Sequence, residues 1–312
     1  MIPVFNGAES LPELIARLEP VLKQEFDAFE VMLVNDGSRD RSWEVIRGLA
    51  ERHPWVVGMD LTRNYGQHNA VLCGVRAASG DVIVTMDDDL QHRPEDIPML
   101  VEALAEGVDV VYGTPIQERH GFFRDWASRF TKMMLKSVMG AQTARLVSPF
   151  RVFRTRLRDA FAETRSPWVS IDVLLTWGTT RFASRAVPHE TRRRGLSNYT
   201  VTTLVRHAMN MMTGYSVLPL RLASLAAFMF TIFGFGILVF VIGRYFLEGS
   251  PMPGFPMLAS LITILGGVQL FSLGIIGEYI ARMHLRAMDT PPFVVREQFT
   301  KRDASAVSRA SS

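Results

Sequence analysis

A single cysteine, Cys73, in 312 residues excludes an intrachain disulfide and a cysteine-built zinc module. No charge of one sign dominates. The chain carries 34 Lys+Arg against 31 Asp+Glu, a formal net charge of +3, which argues against nucleic acid as a partner. Neither G-x-G-x-x-G nor G-x-x-x-x-G-K-S/T occurs, so a dinucleotide fold and a P-loop are disfavoured. No basic-then-apolar leader precedes the first strand-like run, and no signal peptide is expected. Charged residues at 21% with 10% aromatics exclude a largely disordered chain. What the chain has in excess is apolar surface: 48% hydrophobic residues and a mean hydropathy of +0.13.

That excess sits near the C-terminal end. From Leu222 to Gly243, and again from Phe255 to Gly277, no residue is charged. Each stretch reaches the roughly 20 residues a helix needs to cross a bilayer. A buried helix of a soluble protein is the competing reading, disfavoured because two such stretches are adjacent. The linker, Arg244 to Gly254, is short and holds Gly and Pro. A transmembrane hairpin over 221–282 is predicted. Arg206 and Arg221 precede it and Arg282 and Arg286 follow it, whereas Arg244 in the linker is offset by Glu248. The positive-inside bias therefore places both chain ends in the cytoplasm.

Residues 1–200 alternate short β-like runs with amphipathic stretches. Phe29–Asn35, Trp55–Leu61, Asp81–Met86 and Val108–Tyr112 read as strands; Leu11–Lys23, Ser42–Arg52 and His68–Ala78 read as helices. The alternation predicts an α/β fold with a mostly parallel sheet covered by helices. Ligands bind such sheets at the carboxyl ends of the strands. Three polar clusters fall there: Asn35-Asp36-Gly37-Ser38, Arg63-Asn64-Tyr65-Gly66-Gln67-His68 and Asp87-Asp88-Asp89-Leu90-Gln91.

The aspartate cluster admits two readings. Three successive carboxylates repel one another and are best tolerated around a cation, and a few hard oxygen ligands suit Mg²⁺ or Mn²⁺ completed by substrate phosphates. Alternatively the cluster is the solvated start of the next helix, announced by Pro94-Glu95-Asp96. Asp36-Gly37 alone is a turn signal.

Taken in order, these clusters resemble glycosyltransferase family 2, and within it the polyprenyl-phosphate glycosyltransferases. The resemblance is carried by IPVFN at Ile2–Asn6, VNDGSRD at Val34–Asp40, RNYGQHNA at Arg63–Ala70 and GDVIVTMDDDLQHRPEDIP at Gly80–Pro98. RRRGLSNYT at Arg192–Thr200 and GIIGEYIAR at Gly274–Arg282 complete it. It implies a GT-A fold, Rossmann-like, followed by the hairpin. It implies a nucleotide-sugar donor, a polyprenyl-phosphate acceptor, a lipid bilayer and copies of the same chain as partners, and a bacterial inner membrane location. By the same resemblance, Asp36 contacts the nucleotide base, and Pro3, Val4 and Asn6 line its pocket through backbone. Arg63 and Gly66 pack on the donor's phosphates and ribose. Asp87 and Asp89 form the family's D-x-D pair, with Asp88 accessory on the nucleotide-sugar and Asp89 and Gln91 nearest the metal. Arg119 and Arg124, and Arg192 with Ser197, meet the acceptor phosphate; for each arginine a plain surface cation is the competing reading.

The chemistry implied needs these parts. Departure of a sugar from a nucleoside diphosphate builds charge on the β-phosphate, which a divalent ion and arginines offset. A phosphate monoester, with a second pKa near about 6, attacks with little need of a base. In-line attack predicts inversion. Residues 121–140 interleave Phe122, Phe123, Trp126, Phe130, Met133, Met134 and Val138 with Arg124, Arg129, Lys132 and Lys136. This is either a basic interfacial helix or a core-packed one with a solvated face. Residues 201–220 form a juxtamembrane segment, and 283–312 a cytoplasmic tail with a disordered end.

Three departures from the family stand out. The first strand is short before Ile2. Arg145 replaces an acid expected six residues before Arg151. Asn198 replaces the lysine of G-x-S-K-Y. A processive synthase is disfavoured, because Q-x-x-R-W is absent. A catalytically weak membrane scaffold, or a mannose or glucose transferase to dolichol or undecaprenyl phosphate, remains the alternative.

Overall fold

The computed structural model describes residues 1–105, 107–116, 146–166, 169–188, 190, 218–248 and 254–300. They belong to two units, Met1–Thr200 with Asp289–Ser312, and Val201–Met288.

In the first unit, β1 (Ile2–Val4), β2 (Val31–Asn35) and β3 (Val56–Leu61) are parallel neighbours in that order. Covered on both faces, they read as near-continuous apolar runs. The crossovers are α1 (Leu11–Glu25) and α2 (Ser42–Arg52). α1 buries Leu11, Leu14, Ile15, Leu18 and Leu22, one stripe of a 3.6-residue period. α3 (Gln67–Ala77) follows β3 and buries everything from Asn69 to Val75.

A second sheet holds β4 (Val82–Thr85), β5 (Val110–Pro115), β6 (Arg151–Arg154) and β7 (Phe182–Val187) in the order β4-β6-β5-β7. α4 (Ile97–Glu102) and α5 (Ile171–Gly178) complete this part. Met1 bridges the two sheets: its nitrogen donates to the Val84 carbonyl at 2.8 Å and its carbonyl accepts from Met86 N–H at 3.2 Å. A cavity of about 300 Å³ lies beside the start of β1, between β2 and β4, and Met32, Val82 and Ile83 are among its lining residues.

The parallel sheet expected from sequence holds for β1–β3. The other half is mixed, because β6 runs antiparallel between β4 and β5. β6 and β7 escaped the sequence reading: β6 is four residues and nearly all buried, and β7 buries only Val187, so neither shows a clear period of its own. The sequence reading also made 283–312 a tail. The structure corrects this: β8 (Val295–Phe299) pairs antiparallel with β3 at the edge of the first sheet. Val295 and Phe299 pack on the core while Arg296 and Gln298 face out, the alternation of an edge strand.

The second unit contains α6 (Leu218–Glu248) and α7 (Phe255–Ala287). Leu220–Phe240 and Ile264–Leu285 are long and apolar enough to cross a membrane. Phe228, Phe233, Phe235, Leu270 and Phe271 are all more than half exposed, so these helices are not the core of this unit. Arg244 and Glu248, expected in the linker, belong instead to the last turns of α6. No breaker precedes Gly249-Ser250-Pro251, and a helix does not end merely at its first charge.

Asp109, just before β5, is buried under cations. It accepts from Arg181 Nε at 2.9 Å, Thr179 Oγ1 at 2.7 Å and Arg156 Nη2 at 3.0 Å. Burial alone raises a carboxyl pKa; the bonds from Arg181, Thr179 and Arg156 outweigh it and hold Asp109 well below the usual range. A depressed carboxyl contributes stability above its unfolded pKa, about 4, and loses it as pH falls toward the folded value. The Tm gap between the wild type and Asp109→Asn is therefore expected to be flat from about pH 7 to 5 and to narrow below about pH 4. A gap indifferent to pH assigns the contribution to shape rather than charge.

Candidate active site

Four loops leave the carboxyl ends of β1 to β4, and side chains tie them to one another. After β1, Asn6 takes a left-handed φ of 55°. Its N–H donates to Ser38 Oγ at 3.0 Å, and its Oδ1 accepts from Arg39 N–H at 2.8 Å. Gly7 N–H donates to Ser42 Oγ at 2.9 Å. The β1 and β2 loops are thus one body.

Asp36 ties β2 to β3. It is 2% exposed. Its two carboxylate oxygens accept the backbone N–H groups of Tyr65 at 2.7 Å and Gly66 at 2.9 Å. Burial pushes its pKa up, and those two N–H groups oppose the rise. Asn64 Nδ2 closes the loop onto the Asp36 carbonyl at 3.1 Å. Gly37 has φ 63°, and a Cβ there would lie 2.4 Å from the Asn64 nitrogen, so only glycine admits this approach. The Arg63 guanidinium lies over the Tyr65 ring, 4.7 Å from its centroid.

Gln67 then reaches the aspartate loop, its Nε2 donating to Asp87 Oδ1 at 2.6 Å. Asp87, Asp88 and Asp89 are all partly buried. Asp88 stands over Gly7, where a Cβ would meet its Oδ2 at 2.1 Å. Asp89 Oδ1 accepts from Gln91 N–H at 3.2 Å, an Asx-type turn that carries Leu90 through φ 61°. His92 is buried and stacks on Phe150 with ring centroids 5.2 Å apart. Its Nδ1 accepts from Asp87 N–H at 3.4 Å.

Beneath this loop, Arg151 is 3% exposed. It pairs with Asp172, and its Nε donates to Thr85 Oγ1 at 3.0 Å. Tyr112 Oη donates to the same Asp172 oxygen at 3.0 Å. Burial lowers the Arg151 pKa, but the charge of Asp172, with a smaller share from Asp87, leaves it raised.

Residues 1–164 match the family model described as Glycosyl transferase family 2. The chain belongs to glycosyltransferase family 2. Like its relatives in this family, it is a glycosyltransferase. It is 34% identical over 313 residues, 99% of this chain and 92% of the relative, to the undecaprenyl-phosphate 4-deoxy-4-formamido-L-arabinose transferase of Pseudomonas paraeruginosa. The transferase of the same name from Serratia proteamaculans is 33% identical over 301 residues, 95% of this chain and 92% of the relative. Among solved structures, glucosyl-3-phosphoglycerate synthase of Mycobacterium tuberculosis, in complex with Mn²⁺, UDP-glucose and phosphoglyceric acid, superposes with a TM-score of 0.52 at 17% identity. That match covers 68% of this chain and 75% of the synthase and shows a shared GT-A-like fold.

Within this family frame, the structure brings together Asn6, Asp36, Arg63, Gly66, Asp87, Asp88 and Asp89 on linked strand-end loops, whereas Pro3 and Val4 lie buried inside β1 itself. Two expected roles look different in place. Asp36 turns its carboxylate to the 65–66 backbone and so builds the loop it was expected to serve. Gln91, expected beside a metal, gives its carbonyl to Glu190 N–H at 3.0 Å and its Nε2 to the Glu190 carbonyl at 3.5 Å. It latches the aspartate loop to the segment after β7. Arg119, Arg124, Arg192, Ser197, Arg145 and Asn198, and the amphipathic stretch 121–140, lie outside the described residues. Sequence reasoning missed Gln67, His92, Glu190 and the Arg151–Asp172 pair. The first two sit inside the quoted motifs, and the acid for Arg151 comes from 21 residues downstream.

The oxygen-only donor pair Asp87 and Asp89 fits a hard divalent ion. Among the described residues, no three or more His, Cys, Asp or Glu side chains converge to hold one unaided.

Proposed function

We propose that this glycosyltransferase moves a sugar from a UDP-sugar to undecaprenyl phosphate with inversion, supplying an undecaprenyl-phosphate sugar for lipid A or other cell-envelope modification. The observation that carries the reading is the near-full-length likeness to transferases named for that acceptor. The two long apolar helices support a multi-pass location in the bacterial inner membrane. The cations flanking them support a cytoplasmic catalytic unit.

In this reading the β1 loop receives the base, Asp36 holds the 65–66 backbone beside it, and the 63–66 loop receives ribose and phosphate. Asp87 and Asp89 hold Mg²⁺ or Mn²⁺, as the neighbour solved with Mn²⁺ and UDP-glucose supports. The bound ion supplies Lewis-acid stabilisation of charge on the departing diphosphate. Gln67 and His92 orient Asp87, and the Asx turn orients Asp89. Arg119, Arg124, Arg192 and Ser197 are assigned to the acceptor phosphate, by charge-assisted bonds that offset repulsion between the acceptor and the diphosphate. The chemistry rests on positioning and charge neutralisation. Copies of the chain are proposed to assemble through α7, where a Cβ at Gly266, Gly267, Gly274 or Gly277 meets nothing within 4 Å.

The test is a donor screen. Full-length protein in lipid, undecaprenyl phosphate and Mg²⁺ or Mn²⁺ are mixed with UDP- and GDP-sugars, including UDP-4-deoxy-4-formamido-L-arabinose. Metal-dependent formation of a mass-shifted polyprenyl-phosphate sugar is expected. Nucleotide binding without product from any donor favours the scaffold reading; product from UDP-glucose or GDP-mannose reassigns the sugar.

A further inference from the structure

The strand that follows the second apolar helix reaches the donor-side loop. β8 pairs with β3 in the register Asp60↔Glu297 and then Leu61↔Val295, so Arg296 is the extra residue of a β-bulge. A bulge re-aims the side chain it carries. Arg296 Nη1 donates to Asp60 Oδ2 at 3.1 Å and Nη2 to the Thr62 carbonyl at 2.8 Å. Both partners matter to the site. Asp60 is 3% exposed, and its other oxygen accepts from Asn35 Nδ2 at 2.7 Å, beside Asp36. Thr62 begins the loop that ends in Gly66. Its N–H donates to the Val294 carbonyl at 3.0 Å, and its hydroxyl lies 2.9 Å from Tyr65 Oη. Two routes therefore lead from one guanidinium to the backbone that Asp36 holds: Asp60 to Asn35, and Thr62 to Tyr65.

We propose that Arg296 is a positioning residue for the donor loop 62–66, so that nucleotide affinity depends on chain delivered C-terminal to the membrane hairpin. The proposal rests on the reading of 63–66 as the donor site, but its geometry stands apart from it. The fork of arginine suits the task, one planar cation bridging a buried carboxylate and a main-chain carbonyl. Glu297, the next residue, points to Arg47 on α2 at 3.9 Å and supplies the control. It lies on the same strand but not on either route.

The experiment uses the full chain in detergent or lipid. Arg296→Ala is expected to weaken UDP binding in Mn²⁺ about tenfold, the size of one lost charge-assisted hydrogen bond. The donor KM rises in step, and kcat stays within about twofold. Glu297→Ala is expected to bind as the wild type does. In ligand-free protein, Arg296→Ala is expected to speed deuterium exchange at the Tyr65 and Gly66 amides, and Glu297→Ala to leave it unchanged. Arg296→Lys keeps the charge without the fork and restores binding only in part; it carries the test if the alanine variant does not fold. Unchanged exchange at 65–66 in a folded Arg296 variant overturns the proposal, as does an equal loss in Glu297→Ala. A wild type that binds no nucleotide overturns the donor-site reading instead, and the exchange measurement still decides the positioning role.

Discussion

Asp89→Asn is expected to lower turnover about a thousandfold, the several kcal/mol attributed to metal stabilisation of a departing phosphate, while leaving Tm within about 2 °C. The reason lies in what the substitution keeps. Asparagine retains an Oδ1 that accepts Gln91 N–H, so the turn that carries Leu90 at φ 61° survives. What it removes is the negative charge, and with it one of the two carboxylates proposed to hold the ion. Asp87→Asn is expected to do the same, since it retains the Oδ1 that Gln67 reaches at 2.6 Å. Turnover is read by mass spectrometry of the lipid product, and stability by thermal melting of the same preparation. Full activity in both variants would remove the metal assignment. Loss of activity together with a collapse in Tm would return the cluster to its competing role as the solvated start of a helix.

Arg151→Ala is expected to cost about 3–5 kcal/mol of stability. For a unit of this size that is a fall in Tm of about 10 °C or more. Arg151 and Asp172 are 3% and 5% exposed and Tyr112 is fully buried, so water does not replace the lost cation. The alanine leaves the Asp172 carboxylate with Tyr112 Oη in an apolar surround. Thr85 Oγ1 loses its donor two residues before Asp87, so activity falls as well. Asp172→Leu is expected to be as damaging, because it strands the guanidinium. The double variant Arg151→Met, Asp172→Leu is expected to recover most of the Tm, because an apolar pair of similar volume carries no desolvation penalty. A single alanine variant that melts within about 2 °C of the wild type would show that the pair does not hold the loop's foundation.

Much of the fold and of the candidate site was legible in the sequence. The runs that became β2, β3 and β4 and the stripe of α1 were visible because a buried strand and an amphipathic helix each impose their own period. The strand-end clusters were visible because an α/β sheet collects its polar residues there. The uncharged stretches announced α6 and α7 by length alone, although α6 ran on past Arg244. Strands β6, β7 and β8 were not legible. Each is selected by a neighbour distant in sequence: β6 by β4 and β5, β7 by β5, and β8 by β3.

Sequence alone determined the candidate chemistry: the Asp87-x-Asp89 pair, the RNYGQHNA segment, and two helices long and apolar enough to cross a membrane. These are local signals, written in residue type and spacing. Tertiary structure alone decided what each residue does in place. It turned the Asp36 carboxylate to the 65–66 backbone, gave Gln91 to Glu190, supplied Asp172 as the acid for Arg151, and brought Arg296 to Asp60. Those pairings span 21 to 236 residues. No local period encodes them, because a buried polar group takes whichever partner the packing presents.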